Sequence, residues 1–143
     1  TSLELWNKTL AINLTGGFLC ARRVLPGMRD QHYGRVVAIG SSAGKAGGTR
    51  SIAAYAASKA GLMTLAKSIA NEYAAHGVTA NALAPTLIDT DMIEGMRELQ
   101  ARIPVGRFGK PEEVAALVAF LASEHAVYIT GEVTDINGGY LVD

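Results

Sequence analysis

Apolar positions along the chain fall into two patterns. Leu3, Trp6, Leu10, Leu14 and Phe18 recur at intervals of three and four, which marks one face of a helix and predicts that this face is buried. Thr1 with Glu4 reads as a capping box for that helix, which runs toward Asp30. Pro26 and Gly27 are expected to kink or interrupt it near its end. The second pattern is the short, unbroken apolar run. Residues 35–40 and 78–84 are such runs, and each predicts a buried parallel strand, the later one cut at Pro85. Residues 45–51, rich in Gly and Thr, predict a loop, and a helix follows over about 52–76, stopped by Gly77. Residues 86–104 read as irregular or short-helical. Pro111 at a first helical position, with Glu112 and Glu113 behind it, starts a helix through about residue 122, and 132–136 is a last short strand. Helices alternating with strands imply an α/β fold with a parallel sheet covered on both faces.

Composition narrows the function classes. At 49% hydrophobic and 18% charged over 143 residues, the chain can form one domain with a sizeable core. Thirteen basic and thirteen acidic side chains balance, with no basic stripe, so nucleic acid is not expected as a partner. The longest apolar run, 114–122, is too short to span a bilayer, so no membrane is expected either. Cys20 is the single cysteine; it fits a reducing, cytoplasmic setting and reads as a small core residue. His32, His76 and His125 lack metal-ligand spacing and are expected on the surface. The Asn-x-Thr sequons at Asn7 and Asn13 fall inside the first predicted helix, which argues against glycosylation.

The chemistry concentrates in Tyr55-Ala56-Ala57-Ser58-Lys59. A spacing of four puts Tyr55 and Lys59 on one helix face. A phenol titrates near ~10, too high for easy proton exchange at neutral pH, and an ammonium beside it favours the phenolate. Such a pair can act as a general acid/base. Upstream, Ser41 lies where the strand of residues 35–40 opens into a loop, and ligand sites in open α/β sheets lie beyond the carboxyl ends of strands.

These residues belong to a longer series. Asn13-Leu14-Thr15-Gly16-Gly17-Phe18, the run 34–44, the Tyr55 to Lys59 segment with Ala60-Gly61, residues 78–85, Thr90-Asp91-Met92 and the tail 131–139 come in one order over nearly the whole chain. In this the chain resembles the short-chain dehydrogenases/reductases, and most of all the 3-oxoacyl-carrier-protein reductase and sugar or alcohol dehydrogenase group. The resemblance implies the C-terminal portion of a Rossmann-type, doubly wound three-layer sandwich. It also implies hydride transfer between NAD or NADP and a carbonyl/alcohol substrate. In that reading Tyr55 is the acid/base, Lys59 lowers its pKa and binds the nicotinamide ribose, and Asn13 holds a water in a proton relay. A serine hydroxyl binds the substrate oxygen. Counting forward from Gly34 selects Ser41 and counting back from Tyr55 selects Ser42; one extra residue in the intervening loop favours Ser41. Pro85, Thr86, Ile88 and Thr90 would line the nicotinamide. Thr86 stands where most members have Gly, which raises the question of a positive φ there. Asn81 reads as a structural anchor, and residues 91–107, with Met92, Ile93 and Met96, resemble the variable substrate lid. The family usually forms homodimers or homotetramers through its two long central helices and its last strand and helix.

The chain has no G-x-G-x-x-G and no downstream residue to choose between NAD and NADP. The expectation is a C-terminal part lacking the Gly-rich cofactor-binding half. The alternative is a non-catalytic piece that keeps the oligomer-forming helices without binding a full dinucleotide.

Overall fold

The computed structural model describes residues 1–48 and 52–142, without the side chains of Met92 and Glu94. Residues 49–51 of the expected loop and the Met92 side chain of the expected lid therefore lie outside the described residues. In chain order the elements are α1 (Leu3–Leu10), a π-helical turn (Ala11–Thr15), α2 (Gly16–Asp30), β1 (Gly34–Ile39), α3 (Ser42–Ala46), α4 (Ala53–Tyr73) and β2 (Val78–Pro85). A 3-10 run (Asp91–Arg102), α5 (Pro111–Ala122) and β3 (Val133–Ile136) complete the fold.

The three strands form one parallel sheet in the order β1-β2-β3. Gly34 pairs with Val78 and Ile39 with Leu83, while Ala82 pairs with Val133 and Pro85 with Ile136. β2 is central and buried along its length until Pro85. Its alternate residues feed two cores. Val78 and Ala80 pack with Ala21 and Leu25 of α2 and Ile69 and Ala70 of α4, while Ala82 and Ala84 pack with Met63 and Ala66 of α4. On the opposite face Leu83 meets Leu121 of α5 and Ala126. Asn81, on the same side as Leu83, is 1% exposed; its Nδ2 donates to the Ile129 carbonyl at 2.8 Å and its Oδ1 accepts from Glu132 N at 3.1 Å. It is the anchor for the chain entering β3, as expected.

Several local expectations need correction. The first helix is capped by Ser2, whose hydroxyl accepts from Leu5 N at 3.2 Å, and not by Thr1 with Glu4. Either hydroxyl residue can cap; the start one position later leaves Glu4 in the first turn, where its charge complements the helix dipole. The stripe on this helix is not buried: Leu3 is 74% and Phe18 46% exposed, and Trp6, Leu10 and Leu14 are half-buried. Periodicity identified an apolar face, but within this chain only part of it is covered. Cys20, expected in a core, is exposed on the same rod. Pro26 lies inside α2 without interrupting it. Both Pro26 and Arg22 are exposed, so water can satisfy the carbonyl that the missing N–H leaves over. The loop expected from Lys45 starts later, because Ser41 caps α3 and Gly47 closes it in a left-handed conformation.

Gly77 ends the turn after α4 at φ 73°, and a Cβ there would meet the His32 carbonyl. The expected stop is therefore enforced by conformation and by space. The two core faces meet at β2, so a loss there should be felt throughout. Leu83→Ala is expected to lower unfolding free energy by about 2–5 kcal/mol, measured by denaturant unfolding.

Candidate active site

β1 ends at Ile39, and Gly40 continues the ladder by donating to the Leu83 carbonyl at 2.8 Å. Ser41 follows in extended conformation (φ −168°, ψ 150°), and its Oγ accepts from Ala43 N at 3.2 Å. α4 begins at Ala53, so Tyr55 stands in its first turn and Lys59 one turn on. Lys59 Nζ lies 5.7 Å from the centre of the Tyr55 ring and donates to the Ile39 carbonyl at 2.8 Å. One ammonium thus ties the helix to the end of the strand beside the phenol. Burial pushes the Lys59 pKa below its ordinary value.

Ser41, Tyr55, Lys59, Pro85, Ile88 and Thr90 line one cleft of about 370 Å³ at the C-terminal ends of β1 and β2. Ser42 lies in α3 and is not among the lining residues. Neither are Asn13 and Thr86. Asn13 sits in the π-helical turn and connects to α4 from behind: its Nδ2 donates to Ser58 Oγ at 3.0 Å, and Ser58 Oγ donates to the Tyr55 carbonyl at 2.7 Å. Single π turns in helices frequently mark functional sites. Sequence reasoning passed over Ser58; the available signal was a hydroxyl within a helix, where it can bond back to a preceding carbonyl.

Thr86 is buried with its Oγ1 unpartnered, against a smaller cavity of about 160 Å³ that also touches Asn137 and Gly138. The positive φ falls on Leu87 (49°), one residue beyond the position where Gly is usual. Thr86 N donates to the Ile136 carbonyl at 3.0 Å, which holds Thr86 in the sheet, and the turn follows it. Ile88 is then bridged to Gly109. That second segment is fixed by Arg107, which grips Glu113 through two bonds of 2.8 and 2.7 Å, and by Lys110 N donating to Glu113 Oε2 at 2.7 Å. The Arg107 guanidinium, then the Lys110 N–H, hold the Glu113 carboxyl at about 2. The Thr90 hydroxyl donates to the Ile88 carbonyl at 3.3 Å.

Other features carry less chemistry. An apolar groove of about 400 Å³ runs along β1 between α2 and α4; Arg35 is the one charged group lining it. His32 and His76, separated in sequence, bring their ring centres to 6.4 Å at the opposite end of the sheet. Among the described residues no group of three or more His, Cys, Asp or Glu could hold a metal, and no helix is long and apolar enough to cross a membrane.

The family model described as Enoyl-(Acyl carrier protein) reductase matches residues 1–141. The 3-oxoacyl-[acyl-carrier-protein] reductase of Vibrio cholerae is 44% identical over 141 residues, covering 95% of this chain and 57% of the relative. That of Aquifex aeolicus is 46% identical over 143 residues, covering 96% of this chain and 57% of the relative. A solved NADP-bound structure from Beutenbergia cavernae, described as an NAD(P) dependent gluconate 5-dehydrogenase, superimposes with a TM-score of 0.93 at 37% identity. It covers 98% of this chain and 59% of that one. The chain therefore spans 57–59% of the length of the relatives it matches. With the parallel sheet, its flanking helices and a match over nearly every residue, the chain belongs to the short-chain dehydrogenase/reductase family.

Proposed function

We propose that the protein carrying this chain is an NAD- or NADP-dependent oxidoreductase acting on a carbonyl/alcohol pair. The observation that carries this reading is the convergence of Ser41, Tyr55 and Lys59 on one cleft beyond the ends of β1 and β2. The cleft also fits the nicotinamide end of a dinucleotide by chemistry. Lys59 has three N–H donors and uses one on the Ile39 carbonyl, which leaves donors for ribose hydroxyls. Pro85, Ile88 and the Thr90 hydroxyl would border the ring. Thr86 would contribute through its backbone only, since its side chain lies in the smaller cavity. The nicotinamide, when bound, supplies or accepts the hydride.

The chain's own residues do the rest. Tyr55 gives a proton to, or takes one from, the substrate oxygen. Lys59 holds positive charge beside the phenol and favours its ionised form. The Ser41 hydroxyl donates to the same substrate oxygen and stabilises charge developing there. Asn13, through a water, resupplies the proton by way of Lys59. The 3-oxoacyl thioester is the favoured substrate class, because the relatives of 44–46% identity are reductases of that substrate by name. We also infer that these residues form the C-terminal part of a longer domain, completed by a Gly-rich half that would hold the rest of the dinucleotide. Homo-oligomer formation is supported by the exposed apolar side chains of the first helical rod, including Leu3, Ile12, Phe18 and Leu19. This same surface favours the second reading, in which the chain taken alone assembles without turnover.

Three outcomes are expected. In the complete protein, assayed with NADPH and a 3-oxoacyl thioester, Tyr55→Phe should lower turnover at least about 100-fold; near-normal rates would remove Tyr55 from the acid/base role. Ser41→Ala should be the damaging serine change in the same assay and Ser42→Ala the mild one, and the reverse order would transfer the role to Ser42. The chain expressed alone should show no hydride transfer; measurable turnover would show that the second reading and the need for a further half are both wrong.

A further inference from the structure

Ser58 is 0% exposed in a helix whose other buried positions include Ala54, Ala56, Ala66 and Ala70. Alanine would fill such a site, favour the helix and spare the desolvation of a hydroxyl. The hydroxyl is instead engaged on both sides. It donates to the Tyr55 carbonyl at 2.7 Å, so its lone pairs are what remain for Asn13, whose Nδ2 sits 3.0 Å away. That order of donation decides the orientation of the Asn13 amide: with Ser58 committed as donor, only Nδ2 can face it, and Oδ1 is turned away. The bond also crosses from the π-helical turn to α4, joining residues 45 apart in sequence.

We propose that Ser58 is a positioning residue for proton resupply. Its buried hydroxyl fixes the orientation of Asn13 relative to the helix turn that carries Tyr55 and Lys59. This rests on the oxidoreductase reading above. Ser58 touches neither substrate nor cofactor in this role; it acts through Asn13.

The test is steady-state turnover of the complete protein in ordinary and heavy water. Ser58→Ala is expected to lower kcat about 5- to 10-fold, the loss of a hydrogen bond, with KM nearly unchanged. Its solvent isotope effect on kcat should rise, because proton delivery becomes more limiting. Combined with Asn13→Ala, the loss should be no larger than for Asn13→Ala alone, since both changes cut one connection. Additive losses, or a Ser58→Ala protein with unchanged kcat and isotope effect, would reduce Ser58 to packing and overturn the proposal. If Ser58→Ala fails to fold, Ser58→Cys, which weakens both bonds at similar volume, is read by the same criteria. Tyr55→Phe is run alongside. Its inactivity beside a Ser58→Ala protein of unchanged kcat and isotope effect sinks this proposal alone, and its near-normal activity sinks the oxidoreductase mechanism and this proposal with it.

Discussion

The face of β2 that receives α4 presents Ala80, Ala82 and Ala84, all fully buried, and the geometry of the cleft depends on that smoothness. Small side chains let a helix lie close on a sheet, and the helix answers with Ala66 and Ala70 at the contact. On the other side of α4 the approach is equally close. A Cβ on Gly61 would meet Leu14, and one on Gly17 would meet Leu62. α4 is therefore held between the sheet and the first helical rod with little freedom to shift. Its N-terminal end carries Tyr55 and Lys59 to the strand ends, and the same clamp brings Ser58 within bonding distance of Asn13.

Lys59 ties this packing to the end of β1. An ammonium removed from water needs partners, and one is supplied by a backbone carbonyl at the end of β1. The bond sets where the charge sits and leaves other N–H donors directed elsewhere. Burial alone would favour the neutral amine, and the lowered pKa reflects that pressure. An opposite charge or hydrogen-bond acceptors arriving in the cleft would work against it. Lys45 of α3 pairs with Asp135 of β3 at 2.5 Å, so the short helix capped by Ser41 is itself tied to the sheet.

Elements with strong local signals were legible in the sequence. Gly77 and Pro111 with its two glutamates fall where they were expected, because each is dictated by backbone conformation within a few residues. The strand expected to be cut at Pro85 instead runs through it: the missing N–H costs one ladder bond, and Thr86 N still pairs with Ile136. The pairing of Tyr55 with Lys59 followed from helical spacing alone. What stayed hidden depends on neighbours distant in sequence. Periodicity marks Leu3 and Phe18 as an apolar face but not what covers it, and here much of it is exposed. The short α3 hid in a Gly-rich stretch because five residues show no periodicity. Ser58 carried no signal of its own, because its partner Asn13 lies 45 residues away in sequence.

The turn after β2 is made without glycine at its left-handed position. Glycine at the position after Pro85 would allow the chain to turn there; Thr86 does not tolerate that readily. Its N–H stays in the sheet, bonded to Ile136, and the left-handed conformation falls on Leu87. For a side chain other than glycine this costs roughly 1–2 kcal/mol. Leu87 offsets it by packing against Ile93, Ile103 and Phe108, and its carbonyl accepts from Gly109 N at 3.2 Å. Asp89 N completes the clamp on the Gly109 carbonyl at 2.7 Å. The strain is held by two hydrogen bonds and a small core, and those same contacts fix the backbone of Ile88 at the edge of the cleft. The cleft wall at Ile88 is thus held from both sides, by Thr86 in the sheet and by the segment that Arg107 and Glu113 fix.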